Sequence, residues 1–327
     1  MTRWLPSFMG ALALIVLLLA PQWSAGQPYL LHMLVLMCVY AIPAVGLNLM
    51  LGYSGLVSLG HMGFAGIGAY VAAVLMVDAQ WGFWSALSMA TLAAGVAGIL
   101  IGLVCFRFRG HFFMIVTLSF GLMLHAVMNN WDEVTRGAAG FVGIPRPAPL
   151  RFGDEVFAFG PLNHFYYLAL GLALLAFLVQ YAVVRSNLGR ILSAIRQDER
   201  LARSRGVNTL MYKTVVFALG SAIAGMGGVL HVSFLRVAAP ASFTMLESIN
   251  TVLIVIIGGA GSLLGPALGA LLYVALPEFL RLANEWRLVI FGALLVLITL
   301  FAPTGLAGLL SSAWRRLAGR TSDEREP

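Results

Sequence analysis

Apolar residues fill this chain in runs long enough to cross a bilayer, and charges are confined to the stretches between them. No formal charge stands between Arg3 and Asp78, and further charge-free windows cover 79–106, 110–131, 156–184, 214–235, 248–277 and 288–314. A bilayer core asks for about 20 apolar residues per helix. The pattern therefore predicts spans at 4–22, 29–51, 60–77, 82–106, 111–131, 162–184, 214–235 and 288–303. The window 248–277 is different: as one helix it would measure about 45 Å, too long for a single crossing. It is interrupted by G-G-A-G-S-L-L-G-P at Gly258–Pro266, which predicts two short crossings folded back at the glycines.

The charges between the runs orient them. The loop Arg185–Lys213 carries seven basic residues, and Arg315, Arg316 and Arg320 lie near the C-terminus. Positive residues beside spans mark the cytoplasmic side, so an even number of crossings must follow Lys213. Four after the loop and six before it make ten, with both termini cytoplasmic. Arg3, Arg107 and Arg109 then fall inside and Asp78 outside. The expected fold is an all-α, polytopic transmembrane helical bundle with broken or re-entrant Gly-rich segments. One transmembrane domain covers 1–314, including a periplasmic loop 132–160 and a cytoplasmic loop 185–213, and residues 315–327 form a cytoplasmic tail. Between Asp132 and Glu155 four acids accompany three arginines, and the glycines and prolines predict irregular structure or short elements.

Composition agrees. The chain is 60% hydrophobic and 10% charged, with a mean hydropathy of +0.92, against about 25% charged residues in a soluble domain. In a soluble protein the net charge of +7 would suggest nucleic acid. Here the arginines sit beside apolar spans, so they read as topology signals next to membrane lipid, with no nucleic-acid partner. Cys38 and Cys105 lie inside apolar windows and read as small buried hydrophobes. Arg3, the run Phe8–Ala20 and the small residues Ser24, Ala25 and Gly26 imitate a secretory signal; the length of the run and the apolar segment after it favour an uncleaved first span. Small residues at helical spacing, Gly98 and Gly102, then Gly261, Gly265 and Gly269, fit close helix packing within one subunit or between subunits.

Several chemistries are excluded. The single lysine, Lys213, follows Tyr212 and no phosphate-cradling G-x-x-x-x-G element. His32, His61, His111, His125, His164 and His231 include no pair three or four apart, and no carboxylate or cysteine cluster has metal-ligand spacing. No G-x-S-x-G elbow occurs. The chain is not expected to be an enzyme, and no catalytic or metal residue is assigned.

Two segments stand out. From Gly189 to Gly206, Ile191, Leu192, Ile195 and Leu201 recur at helical intervals among Arg190, Arg196, Arg200, Arg203 and Arg205, and Gly206 is a helix terminator before Val207-Asn208-Thr209. Such a helix is either a topology anchor with a solvated or lipid-facing surface or a docking element for a cytoplasmic partner. The stretch Gly52–Tyr70 places six glycines with Ser54, Ser58 and His61 in or beside the membrane and makes a poor continuous helix. Unwound backbone at membrane depth is tolerated where it lines a cavity, as in the broken helices of transporters. Gly52, Gly55, Gly60 and Gly63, and then Gly258, Gly259, Gly261, Gly265 and Pro266, are the expected helix breaks. Asn48, His125, Asn129, Asn130, His231, Glu247 and Asn250 are further polar groups in or near spans, each open to helix contacts or to a solute.

The chain resembles the inner-membrane permease subunits of ABC importers for branched-chain amino acids, the LivM-like family. The resemblance rests on GLNLMLGYSGLVSLGHMGFAGIGAY (46–70), IVTLSFG (115–121), TRGAAGFVGIPRP (135–147), GRILSAIRQDERLARSRGVN (189–208), GGAGSLLGPALGA (258–270), LPEFLR (276–281) and FAPTGLAGLL (301–310). It implies a multi-pass permease of the bacterial inner membrane that binds no cofactor itself. Its implied partners are a second homologous permease subunit, two cytoplasmic ATP-binding subunits that carry ATP and Mg, and a periplasmic solute-binding protein. Residues 189–208 occupy the place of the family's coupling helix, and Ile195, Arg196, Asp198, Glu199, Ala202 and Gly206 are the implied ATPase-coupling residues. Arg203 replaces the second alanine of the usual Ala-Ala pair, and Leu122 stands where members commonly carry an acid. The wider group also carries urea and short amides. Asn48, Ser58, His61, Thr117 and Asn250 are candidates for the translocation path. A stand-alone, ion-coupled transporter using Glu247 or Glu278, and a structural scaffold without transport, are the readings from other classes.

Overall fold

The computed structural model describes residues 17–22, 27–108, 110–152, 155–157 and 159–279, with 292, 296 and 305–309. The spans expected at 4–22 and 288–303 lie largely outside these residues, and the tail 315–327 wholly so; of these stretches, 17–22, 292 and 296 are helical. Among the described residues six helices are long and apolar enough to cross a membrane. They are α1 (Pro28–Asn48, running on to Tyr53 as a wider π-helical turn) and α2 (His61–Ala73, likewise extended to Asp78). Then come α3 (Phe83–Cys105), α4 (His111–Asn130) and α5 (Leu162–Arg185). After two short helices, α6 (Asn187–Gln197) and α7 (Glu199–Ser204), α8 spans Thr209–Leu235. The long window that follows is broken as its length requires, into α9 (Met245–Gly258) and α10 (Gly265–Phe279).

The bundle is built around α8, which packs on α1, α2 and α3. Small residues allow it. A Cβ at Gly68 of α2 would lie 2.5 Å from the Gly225 Cα, and one at Gly98 of α3 would lie 2.6 Å from the Ser221 Oγ. Gly46 of α1 meets the backbone of Gly220 in the same way. Without a hydrophobic drive between helices in lipid, such close approach supplies the attraction through dispersion and polar contacts. The glycines marked by spacing also pack within the chain: Gly102 faces Phe106 and Phe217, and Gly265 and Gly269 face Gly259 and Ile254. By contrast α4 turns Phe112, Ile115, Leu122 and Met123 outward, an apolar surface suited to lipid or to another subunit. Cys38 and Cys105 are both free thiols.

Two ends of the bundle are distinguishable. At one, Asp78 pairs with Arg136 at 2.6 Å, and the Arg136 guanidinium lies 4.4 Å from the centre of the Phe141 ring. There β1 (Phe141–Val142) pairs antiparallel with β4 (Val237–Ala238), with Phe141 opposite Ala238. A separate hairpin joins β2 (Leu150–Phe152) to β3 (Glu155–Phe157). The stretch rich in glycine and proline is thus made of the short elements its composition predicts. At the other end lie α6, α7 and the breaks between α1 and α2 and between α9 and α10.

Candidate functional site

The helical pattern from 189 to 206 folds as two helices rather than one. Ser186 starts α6 by accepting a hydrogen bond from the Leu188 amide. Its apolar positions Leu192 and Ile195 are buried, whereas Arg190 is exposed. The division falls at Asp198, whose extended backbone ends α6 and whose Oδ1 accepts from the Arg200 and Leu201 amides at 2.8 and 3.1 Å. A side-chain cap of this kind supplies partners for the orphan amides of a new helix. Ala202 packs the short α7 inward, and Gly206, at φ +83°, turns the chain toward α8. No atom lies within 4 Å of a Cβ at Gly206, so the left-handed backbone and not space demands glycine there.

Glu199 fastens α7 to α8. Its Oε2 receives Lys213 at 2.6 Å, and its Oε1 receives Arg203 at 2.6 Å and the Thr209 hydroxyl at 3.1 Å. Thr209 in turn accepts from Arg203 Nε at 2.7 Å. Burial pushes the Glu199 carboxyl up, but the Lys213 hydrogen bond and charge, the Thr209 hydroxyl and Arg203 together hold it below its ordinary value. The chain's one lysine is thereby committed to a structural pair.

Arg196 leaves α6 in the opposite direction and donates to the carbonyl of Gly52 at the end of α1. That carbonyl belongs to the last turn of a helix, where acceptors lack intrahelical donors and a cation is favoured. The chain beyond it unwinds over 55–58 and re-forms a helix at His61. Of the glycines expected at the first break, Gly55 has φ +74° and Gly60 precedes α2, but Gly52 lies inside the π-helical turn and Gly63 inside α2. Their smallness serves contact: a Cβ at Gly52 would strike Asn48 and Gly261, and one at Gly63 would come 2.9 Å from Leu124. In the second break Gly258 ends α9, Gly259 and Gly261 have positive φ, and Gly265 with Pro266 opens α10.

The two breaks touch. Buried Asn48 donates to the Ser262 carbonyl and accepts from the Gly261 amide, both at 2.8 Å. Gln180 of α5, also buried, reaches the same Ser262 carbonyl at 3.5 Å. Thr117 of α4 holds the first break from its other side, accepting from the Leu59 amide at 3.2 Å and donating to Met114. His61 Nε2 lies 3.0 Å from the Pro43 carbonyl; because a carbonyl only accepts, Nε2 carries the proton and Nδ1 is left as an acceptor. His61 Nδ1 and the buried Ser58 Oγ have no hydrogen-bond partner among the described residues. Asn48, Ser58, His61 and Thr117 therefore gather around the first break, at the α6 end of the bundle. Asn250 stands apart on α9, one turn after Glu247. Gln180, Thr209, Ser262 and Lys213 are members that spacing did not nominate. Gln180 was visible as the one amide side chain in the apolar run from Phe165 to Val184.

A cavity of about 200 Å³ opens beside this junction, lined by Ser54, Phe113, Ile195, Arg196, Glu199 and Lys213 among others. Among the described residues no group of three or more His, Cys, Asp or Glu could hold a metal ion.

An all-α bundle with six helices long and apolar enough to cross a membrane, broken at one end beneath two short surface helices, is the architecture of a multi-pass membrane protein. The chain belongs to the family described as branched-chain amino acid transport system / permease component, whose pattern matches residues 29–299. Such a component is a permease and not an enzyme. Among its relatives is the high-affinity branched-chain amino acid transport system permease protein LivM of Salmonella typhimurium, 34% identical over 88% of this chain and 72% of the relative. LivM of Escherichia coli is 36% identical over 82% of this chain and 67% of its own length. BraD of Pseudomonas aeruginosa is 27% identical over 82% and 91%. No solved structure matches.

Proposed function

We propose that this chain carries branched-chain amino acids inward across the bacterial inner membrane as one permease subunit of an ABC importer. ATP and Mg are bound and ATP is hydrolysed on two cytoplasmic partner subunits; a second homologous permease completes the pore, and a periplasmic protein delivers the solute. The observation that carries this reading is the construction of α6–α7. It presents Arg200 and Arg205 outward, while Glu199 and Arg196 tie it to α8 and to the helix breaks. A topology anchor alone has no need of those ties. Motion imposed on α6–α7 by an ATPase would be passed to the central helix and to the breaks, and so to the path between helices.

Ten crossings with both termini cytoplasmic remain the topology of choice, with the permease domain over 1–314, the periplasmic loop over 132–160, the coupling loop over 185–213 and the tail over 315–327. The reading is supported by the ends of the elements: Asp78, 132–144 and 236–238 share one end, while α6, α7 and both breaks share the other. In the path itself Asn48, Ser58, His61 and Thr117 act near the inner mouth and Asn250 nearer the outer one.

Purification from the native membrane in a gentle detergent tests the assembly. Recovery of a second permease and an ATPase is expected; recovery of this chain alone, under conditions that keep other importers whole, contradicts it.

A further inference from the structure

We propose that Arg196 is a positioning residue for transport: it pins together the two helix breaks and makes their separation depend on the placement of α6. The inference rests on the importer reading and gives one side chain of the coupling segment a task distinct from docking. Its stem runs across Gly55, where a Cβ would lie 3.3 Å from the Arg196 Cγ, and its Nη1 donates to the Gly52 carbonyl. The same nitrogen lies 3.1 Å from where a Cβ of Gly261 would stand. The first two residues belong to the break after α1 and the third to the break after α9, 196 being far from both in sequence. Gly52 and Gly261 are themselves packed backbone to backbone, and Asn48 clamps Gly261 and Ser262 from within the bundle.

The chemistry suits the task. Guanidinium is always charged and presents five donors in a rigid fork, so it can stay engaged with a helix-end carbonyl while lying flat against bare glycine backbone. A side chain at Gly261 would crowd its Nη1, and one at Gly55 its stem. Because Arg196 is the member of α6 that reaches both breaks, moving α6 withdraws the donor from Gly52 and lifts the guanidinium off Gly261 in one step. Arg190 sits on the same helix but, among the described residues, bonds only to Asn187 of that helix, and so serves as the internal control.

The test uses the complete transporter in lipid vesicles with its binding protein, reading leucine uptake and ATP hydrolysis on the same preparation. Arg196→Ala is expected to assemble and hydrolyse ATP at near the native rate while uptake per ATP falls at least tenfold, and Arg190→Ala is expected to leave the ratio unchanged. A purely structural role would lower hydrolysis and uptake in parallel. If Arg196→Ala does not assemble, Arg196→Gln, which keeps an N–H donor of shorter reach, is read the same way. An unchanged uptake-to-hydrolysis ratio in the assembling variant overturns the proposal and leaves the importer reading standing. Native complex that shows no ATP-driven leucine uptake overturns both.

Discussion

Asn48 and Gly261 lie 213 positions apart, yet the Asn48 carboxamide oxygen accepts from the Gly261 amide at 2.8 Å, while its nitrogen donates to the adjoining Ser262 carbonyl at 2.8 Å. One side chain on α1 thus replaces the hydrogen bonds that the break between α9 and α10 forgoes. Irregular backbone within a membrane protein persists only where such partners exist.

Removing the carboxamide should be costly. Asn48→Leu takes the partner from the half-buried Gly261 amide and leaves the Ser262 carbonyl only the longer bond from Gln180, at up to about 1–3 kcal/mol for an unsatisfied group. Thermal unfolding of the purified complex should shift down by several degrees, and Asn48→Asp, which loses the donor but keeps the acceptor, should fall between. A midpoint unchanged by Asn48→Leu would show that the contact holds nothing together.

At the surface, Asp198→Ala removes the cap of a helix only six residues long. The expected local cost is about 1 kcal/mol. Uptake should fall while the protein still inserts and assembles, and Asp198→Asn, which caps equally well, should restore it. If asparagine fails as alanine does, the carboxylate acts on a partner and not on α7.

Gly206→Ala tests the left-handed turn between α7 and α8. With open space around the site but φ at +83°, the penalty is conformational, about 1 kcal/mol. Gly206→Asn, which tolerates that backbone region better, should preserve more uptake than Gly206→Ala. Equal uptake in both would remove the turn from the coupling account.

Glu199 makes a prediction about pH. Its carboxyl is held below the ordinary value in the folded protein, so the anchoring of α7 to α8 is fully present above the unfolded carboxylate value near 4.3 and is lost as pH falls through the folded one. Hydrogen exchange at the start of α8 should therefore be flat from pH 5 upward and accelerate under stronger acid, beyond the intrinsic trend. In Glu199→Gln that acid-dependent step should disappear. Its persistence in the variant would assign it to another group.

Much of this was legible in the sequence because the bilayer leaves few choices. Among the described residues the charge-free windows are largely helical, and the window 248–277, too long for one crossing, divides at its glycines. Other features were not legible because their causes are distant. The apolar spacing runs unbroken from Ile191 to Leu201, so only the cap geometry of Asp198 reveals two helices. Gly52 and Gly63 sit inside helical turns because contact with Gly261 and Leu124, far along the chain, outweighs glycine's poor helix propensity. Asn48 and Thr117, expected along a solute path, hold the second and the first break respectively, and only the tertiary structure could bring Gln180 to the loop that Asn48 holds.

The central claim is that this chain moves amino acids when a partner ATPase acts on α6–α7. Vesicles containing the whole complex, loaded with ATP and supplied with binding protein and labelled leucine, test it most directly. Uptake should require enclosed ATP and survive ionophores that abolish ion gradients. Uptake that ignores ATP and collapses with the gradient would contradict the account and return Glu247 and Glu278 to consideration as ion-coupling groups.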